Sequence, residues 1–349
     1  MKEQSIKQPP PLENPINGRT NLQMYDLNVD EAIEEIRARG ARRVVIQLPD
    51  GLKPLGFELC REIEAKTGVE VYLTSDPCYG ACDLAWEAMN LLQAELTVHC
   101  GHAEIPHLND GRTIYLEARS NVSIEKPLKE ALKMVEGVRV GLLATVQHIH
   151  LLERASRILR KLGKEVYVGR AGGKLRYDGQ VLGCDFTAAT SISEKVDFYL
   201  VIAGGVFHAV GVEASTGKPA IAVDPYLGRA VKVSDRVEKL MKIRMATLGR
   251  MLEAKRIGVL VSLKPGQMRV GFARKIKSML EREGKECVLI AGRELTGLNL
   301  NSFSEIDLFI NTACPRIAWD DREGFMKPIL NAEEAVSFLE SKQKRLGIG

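Results

Sequence analysis

The feature that most constrains this chain is a pattern it uses three times. An Arg-led apolar run, Arg43-Val44-Val45-Ile46-Gln47-Leu48, is followed by a helical stretch over 55–66, by Gly68, and by a second apolar run over 69–74. The order returns as 139–143, 151–162, Gly163 and 165–169, and again as 256–261, 272–283, Gly284 and 286–291. Roughly 25 residues separate the leading arginine from the glycine in each copy. A glutamate stands two residues after every glycine: Glu70, Glu165 and Glu286. Glycine there is what a helix ending in the left-handed conformation requires. Each copy then reaches a third apolar run, at 94–98, 197–202 and 306–310, and the second copy adds a fourth at 219–223. Apolar runs without alternation, separated by helices, predict parallel strands buried on both faces and joined by right-handed crossovers.

The expected fold is α/β: three similar small domains with parallel β-sheets flanked by helices, an internal triplication around a central cleft. The expected boundaries are a flexible tail over 1–22, then domains over 23–120, 121–230 and 231–349. A helix over 30–39, stopped by Gly40, precedes the first copy; a helical segment over 234–256 bridges into the third, and a helix over 331–344 closes the chain.

In open parallel sheets functional groups gather at the carboxyl ends of the strands. Three cysteines fall there. Cys82, in Tyr79-Gly80-Ala81-Cys82-Asp83, follows the second strand of copy one; Cys184, in Gly179-Gln180-Val181-Leu182-Gly183-Cys184-Asp185, follows the second strand of copy two; Cys314, in Ala313-Cys314-Pro315-Arg316, follows the third strand of copy three. They can meet between the domains. Seven cysteines is an odd number and no disulfide framework; Cys60 and Cys287 read as core thiols. The converging trio is open to three readings: unrelated buried thiols, a zinc ligand set, or three thiolates on a four-iron cluster with one iron left free. Zinc is disfavoured for the trio because structural zinc cysteines come in close pairs. A separate zinc set inside copy one is Cys78, Cys82, Cys100 and His102, with Cys100 standing where copy three has Cys314. Cys78 is otherwise a turn or core thiol.

Other strand-end residues offer polar groups to the same cleft. His148 and His150 stand at i and i+2, which suits one face of a strand, and His208 follows the third strand of copy two. Lys264 and Gln267 follow the first strand of copy three and can meet an anionic group, as can Arg316; Gln180 precedes Cys184 by four residues. The alternative for each is a solvated or structural turn. The segment from Gly211 to Lys218 has the wrong spacing for a phosphate loop and leads into a strand rather than a helix, and no G-x-G-x-x-G opens a helix after a strand. Aromatic residues make up 5% of the chain and the net charge is +4, so nucleic acid is not an expected partner. No apolar run reaches the ~18 residues of a membrane helix, and a cytoplasmic location is expected.

Tyr79–Asp83, Gln147-His148-Ile149-His150, 179–184, Asp224-Pro225-Tyr226 and 313–316 together resemble the archaeal diphthamide synthase family, in the same order, from about residue 30 to 335. The resemblance implies three α/β domains of common ancestry, a homodimer, and a [4Fe-4S] cluster held by Cys82, Cys184 and Cys314. It further implies S-adenosylmethionine as substrate, an electron donor, and elongation factor 2 as the protein that receives a 3-amino-3-carboxypropyl group on a histidine. Within that resemblance Gln180, His148, His208, Lys264, Gln267 and Arg316 are the candidate substrate contacts. Cys78 departs from the family pattern. Two other functions remain open from the residues alone: a non-catalytic three-domain protein with structural zinc, and a small-molecule binding protein with incidental cysteines.

Overall fold

Among the described residues three large sheets, each built outward from one Arg-led run, stand beside a two-stranded pairing of Tyr25–Asp26 with Arg119–Ser120. In the first, β1 (Arg43–Gln47) lies between β2 (Glu70–Leu73) and β3 (Leu96–Cys100), with β4 (Thr113–Leu116) beyond β3. In the second, β5 (Arg139–Ala144) lies between β6 (Glu165–Tyr167) and β7 (Phe198–Ile202), followed by β8 (Ala220–Asp224) and an antiparallel β9 (Arg229–Lys232). In the third, β10 (Arg256–Ser262) lies between β11 (Glu286–Gly292) and β12 (Leu308–Asn311), with β13 (Ile329–Asn331) outermost. The strand order is thus second, first, third, fourth in each of these three sheets, with a fifth strand added in the second. The structure, a computed structural model, describes residues 24–108 and 110–345, so the expected tail lies outside the described residues. Among the described residues no helix is long and apolar enough to cross a membrane.

The continuous apolar runs are needed because successive strand residues feed opposite faces. Val44 and Ile46 of β1 pack with Ile33 and Ile36 of α1 (Val29–Arg39) and Leu59 and Ile63 of α2 (Gly56–Thr67), whereas Val45 packs with Ala85 and Met89 on the other side. In β5, Val140 and Leu142 meet Leu159 of α3 (Leu152–Lys161), while Leu143 joins the core that holds Val212 of α4 (Phe207–Thr216). A long α5 (Ser234–Glu253) bridges to the third sheet and buries Met251 there. In that sheet Ile257 and Val259 meet Ile276 and Leu280 of α6 (Val270–Arg282) and Ala335 of α7 (Ala332–Arg345), while Leu260 packs with Phe309 and Leu300. Each such side chain contributes about 1.5–3 kcal/mol by leaving water. Gly68, Gly163 and Gly284 adopt φ of 74°, 78° and 79°, as helix ends of this kind demand.

The sequence-level picture needs three corrections. Sheets one and three also have fourth strands; these are short (Thr113–Leu116 and Ile329–Asn331), which hid them. The second strands are edges, not buried on both faces: Val288 is 49% exposed, and Cys287 beside it is half-buried, as is Cys60 at the margin of its core. Finally, His148 and His150 do not share a strand face. The strand stops at Ala144 and the chain turns into a 3-10 helix over Val146–Leu151, which buries His148 and exposes His150.

One device recurs in all three units. A carboxylate just before the third strand accepts the two backbone N–H groups that open the first strand. Glu95 takes Arg42 and Arg43 at 3.2 and 2.8 Å, Asp197 takes Val138 and Arg139 at 3.0 and 2.9 Å, and Asp307 takes Lys255 and Arg256 at 2.9 Å each. Asp197 also pairs with the Arg139 guanidinium at 2.6 Å. These contacts, the Arg139 side chain foremost, pull the Asp197 carboxyl down from 3.8 to about 2. A depressed folded-state value stabilises above the unfolded one and is lost as pH falls through the folded one. Asp197→Ala should therefore lower the unfolding midpoint at neutral pH, and the gap from the parent chain should close between about pH 4 and pH 2; thermal unfolding across that range checks it.

Candidate functional site

Each unit delivers one cysteine to a common space. Cys82 lies in the loop after β2, Cys184 in the long loop after β6, and Cys314 just past β12, and all three line one cavity of about 290 Å³. Lys174, Gly266, Gln267 and Arg269 line it with them. Among the described residues, the group tight enough for a single ion is a different one, Cys78, His99 and His102. The three cleft thiols are spread more widely, which suits a body larger than one ion.

A buried polar side chain beside each cysteine holds its loop. Asp83 is fully buried and takes Lys264 Nζ at 2.9 Å and Arg293 Nη2 at 3.2 Å. Asp185 accepts the backbone N–H of Lys174 at 2.6 Å and of Thr187 at 2.9 Å. Asn311 Nδ2 donates to the carbonyl of Cys314 at 2.8 Å. The Cys184 loop is shaped further by Gln180, whose Oε1 accepts the backbone N–H groups of Arg176 and Tyr177, and by Gly179 at φ 73°, where a Cβ would fall 2.6 Å from Leu152. The Cys82 loop meets the third unit backbone to backbone. Gly266 N–H donates to the Cys82 carbonyl at 2.8 Å, and a Cβ on residue 266 would lie 2.6 Å from Cys82 Cα.

Burial pushes all three thiols up, Cys314 to about 12. Donors aimed at the sulfurs oppose this. Gln267 Nε2 stands 3.2 Å from Cys82 Sγ, and Lys174 Nζ stands 3.6 Å from Cys184 Sγ. Such donors favour the thiolate, the form that ligates metal. With Gln267 and Lys174 supporting two sulfurs and the Arg316 backbone N–H the third, three thiols in a space too wide for one ion fit a four-iron cluster.

A second cavity of about 300 Å³ lies between the first two units and is lined by Tyr25, His102, Gln147, His148, His208 and Tyr226, among others. His148 is 1% exposed and neither ring nitrogen has a protein partner; His208 Nδ1 has none either. Burial lowers both imidazoles to about 4, with the Arg316 charge adding to the effect on His208. They are neutral at pH 7. Arg316 lies 4.3 Å over the Phe207 ring and pairs through Nε with Asp320 at 3.0 Å. Lys264 is 4% exposed; its ammonium is shared by Asp83 and Glu294, both at 2.9 Å, and sits 4.4 Å over the Tyr79 ring.

The zinc set expected within the first unit does not assemble as Cys78, Cys82, Cys100 and His102. Adjacent strand residues point to opposite faces, so Cys100 turns into the α1–α2 core while His99 turns toward Cys78, and Cys82 turns into the cleft. Nor is Cys100 the counterpart of Cys314. Gln47 pairs with His99, and Leu260, its equivalent in β10, pairs with Asn311, so three residues further on Cys314 corresponds to His102. Lys174 and Arg293 carried no sequence signal. Asp83 and Asp185 did, by standing directly after their cysteines.

A family model described as "Putative diphthamide synthesis protein" matches residues 48–347. A 2-(3-amino-3-carboxypropyl)histidine synthase of Pyrococcus horikoshii is 33% identical over 313 residues, covering 89% of this chain and 90% of the relative. Subunit 1 of the corresponding Schizosaccharomyces pombe synthase is 28% identical over 321 residues, covering 90% and 73%. The crystal structure of Dph2 from Pyrococcus horikoshii with a 4Fe-4S cluster superposes with a TM-score of 0.82 at 31% identity, covering 91% of this chain and 92% of that one.

Proposed function

The chain belongs to the diphthamide synthesis protein family and is an enzyme of the 2-(3-amino-3-carboxypropyl)histidine synthase type, and from that premise we propose its reaction. It cleaves the Cγ–S bond of S-adenosylmethionine reductively and transfers the 3-amino-3-carboxypropyl radical to C2 of a histidine imidazole in elongation factor 2. Methylthioadenosine is the other product; imidazole C2 gives up its proton and one electron as the new C–C bond forms, so the electron used to break the Cγ–S bond is returned and the reaction is redox-neutral overall. The observation that carries this reading is the convergence of Cys82, Cys184 and Cys314 on one cavity, with Gln267 and Lys174 directed at the sulfurs. A [4Fe-4S] cluster held by those thiolates would supply one electron and an open iron site.

The chain's own groups do the rest. The Gln267 amide stabilises the Cys82 thiolate and the Lys174 ammonium that of Cys184. Neutral His148 and His208 can offer ring nitrogens to the substrate without repelling its sulfonium charge. Arg316 is the guanidinium available to a carboxylate on that side. Gln180 and Lys264 act one step removed, by holding the loops of Cys184 and Cys82. The recurring strand order and carboxylate clamps support descent by internal triplication, with domains over 23–120, 121–230 and 231–349. The enzyme works as a cytoplasmic homodimer served by an electron donor.

Because a Cβ at residue 266 would strike Cys82 Cα, Gly266→Ala should cut iron content about 10-fold or more; iron analysis of the folded variant checks this. The reaction itself is tested by reducing anaerobically prepared protein with dithionite in the presence of S-adenosylmethionine and elongation factor 2. Methylthioadenosine should accumulate as the factor gains one 3-amino-3-carboxypropyl mass. Protein holding zinc and no iron, or iron-loaded protein releasing no methylthioadenosine, would overturn the assignment.

A further inference from the structure

We propose that Cys78, His99 and His102 form a second metal site, separate from the three cleft thiols, which takes one divalent cation of the zinc type. Their ligand atoms lie within 4.8 Å of one another. His99 Nε2 stands 3.0 Å from His102 Nδ1, close to the roughly 3.3 Å expected between two nitrogens on tetrahedral zinc at about 2.0–2.1 Å each.

The tautomer is set for ligation. Gln47 donates through Nε2 to the Asp83 carbonyl at 2.7 Å, and its Oε1 accepts the Ala85 N–H at 3.1 Å. A backbone carbonyl can only accept and an N–H can only donate, so the orientation of the amide is fixed. Oε1 lies 2.9 Å from His99 Nδ1, which must therefore carry the proton. The lone pair of Nε2 is left directed at His102. A histidine that donates its far N–H to an oxygen while offering the other nitrogen is the arrangement metal-bound histidines use. Cys78 is 4% exposed and His99 is fully buried, so two of the three ligands are already removed from water, while His102 is partly exposed.

The placement gives the ion a task. Cys78 lies in the loop that carries Cys82, while His99 is the penultimate residue of β3 and His102 follows the strand. A bound cation would tie that loop to the strand and so brace the segment that presents Cys82. Three protein ligands leave a fourth position for water.

The test uses the full chain with Cys82, Cys184 and Cys314 all changed to Ser, so that no cluster contributes, titrated anaerobically with Co(II) and then with Zn(II). One cobalt per chain should bind, with an intense sulfur-to-cobalt band and the visible bands of four-coordinate cobalt, and zinc should displace it. Cys78→Ser should remove the sulfur band, and Cys78→Ser and His102→Ala should each weaken binding at least about 100-fold. His102 is partly exposed, so His102→Ala keeps the test open if Cys78→Ser fails to fold. No stoichiometric cobalt binding, or binding unchanged by either substitution in folded protein, overturns the proposal and leaves the histidine pair as a hydrogen bond within the first unit.

Discussion

Changing Cys82, Cys184 or Cys314 singly to Ala is expected to strip most of the roughly four irons per chain and to reduce methylthioadenosine release at least about 100-fold. The effect should be large because no other thiol can stand in. Each unit contributes one cysteine to the cavity. Cys78 lies with its sulfur within 4.8 Å of His99 and His102 and does not line the cavity, Cys100 lies in the α1–α2 core, and Cys60 and Cys287 sit on α2 and β11. The fold should survive, since all three are partly buried loop residues outside the hydrophobic cores; the melting temperature should move by only a few degrees. Iron analysis beside thermal unfolding separates a lost ligand from a lost fold. Iron retained in all three variants would sink the cluster assignment.

The strand ends were legible in the sequence because their causes are local. Each Arg-led run is apolar on both faces, and Gly68, Gly163 and Gly284 are needed where they stand. The positions of Cys82, Cys184 and Cys314 followed from that periodicity, since a loop after a parallel strand can open only at the carboxyl end of its sheet. What was not legible depends on pairs distant in sequence. Lys264 was expected to face an anionic ligand; the anions it meets are Asp83, in another unit, and Glu294, in its own. Gln180 was expected at the substrate, yet its carbonyl is spent on the turn that presents Cys184. Cys100 was matched to Cys314 by counting from apolar runs, whereas hydrogen-bond register fixes the match at His102. Periodicity gives the face of a strand to within a residue or two, and a shift of one residue reverses the face.

The second large effect is expected at Lys264. Its ammonium is 4% exposed and lies 2.9 Å from Asp83, which is fully buried directly beside Cys82. Removing one partner of a buried pair leaves an uncompensated charge and costs about 3–5 kcal/mol. Arg293, 3.2 Å from the other carboxylate oxygen, keeps part of the compensation, which places Lys264→Met near the lower end, about 3 kcal/mol. The Cys82 loop should move with it, because Asp83 is the residue of that loop that the third unit holds by charge, beside the Gly266 and Gln267 contacts to Cys82. The double variant Asp83→Asn with Lys264→Met removes both fully buried charges and should recover part of the stability, since the partners left behind, Glu294 and Arg293, are partly exposed and keep access to water. It should not recover iron in full, because the charged hold on the loop is still missing and only the Gly266 and Gln267 contacts remain. Urea unfolding and iron analysis on the single and double variants test the two halves separately. If Lys264→Met alone left both stability and iron unchanged, the pair would have no part in holding Cys82 at the cleft.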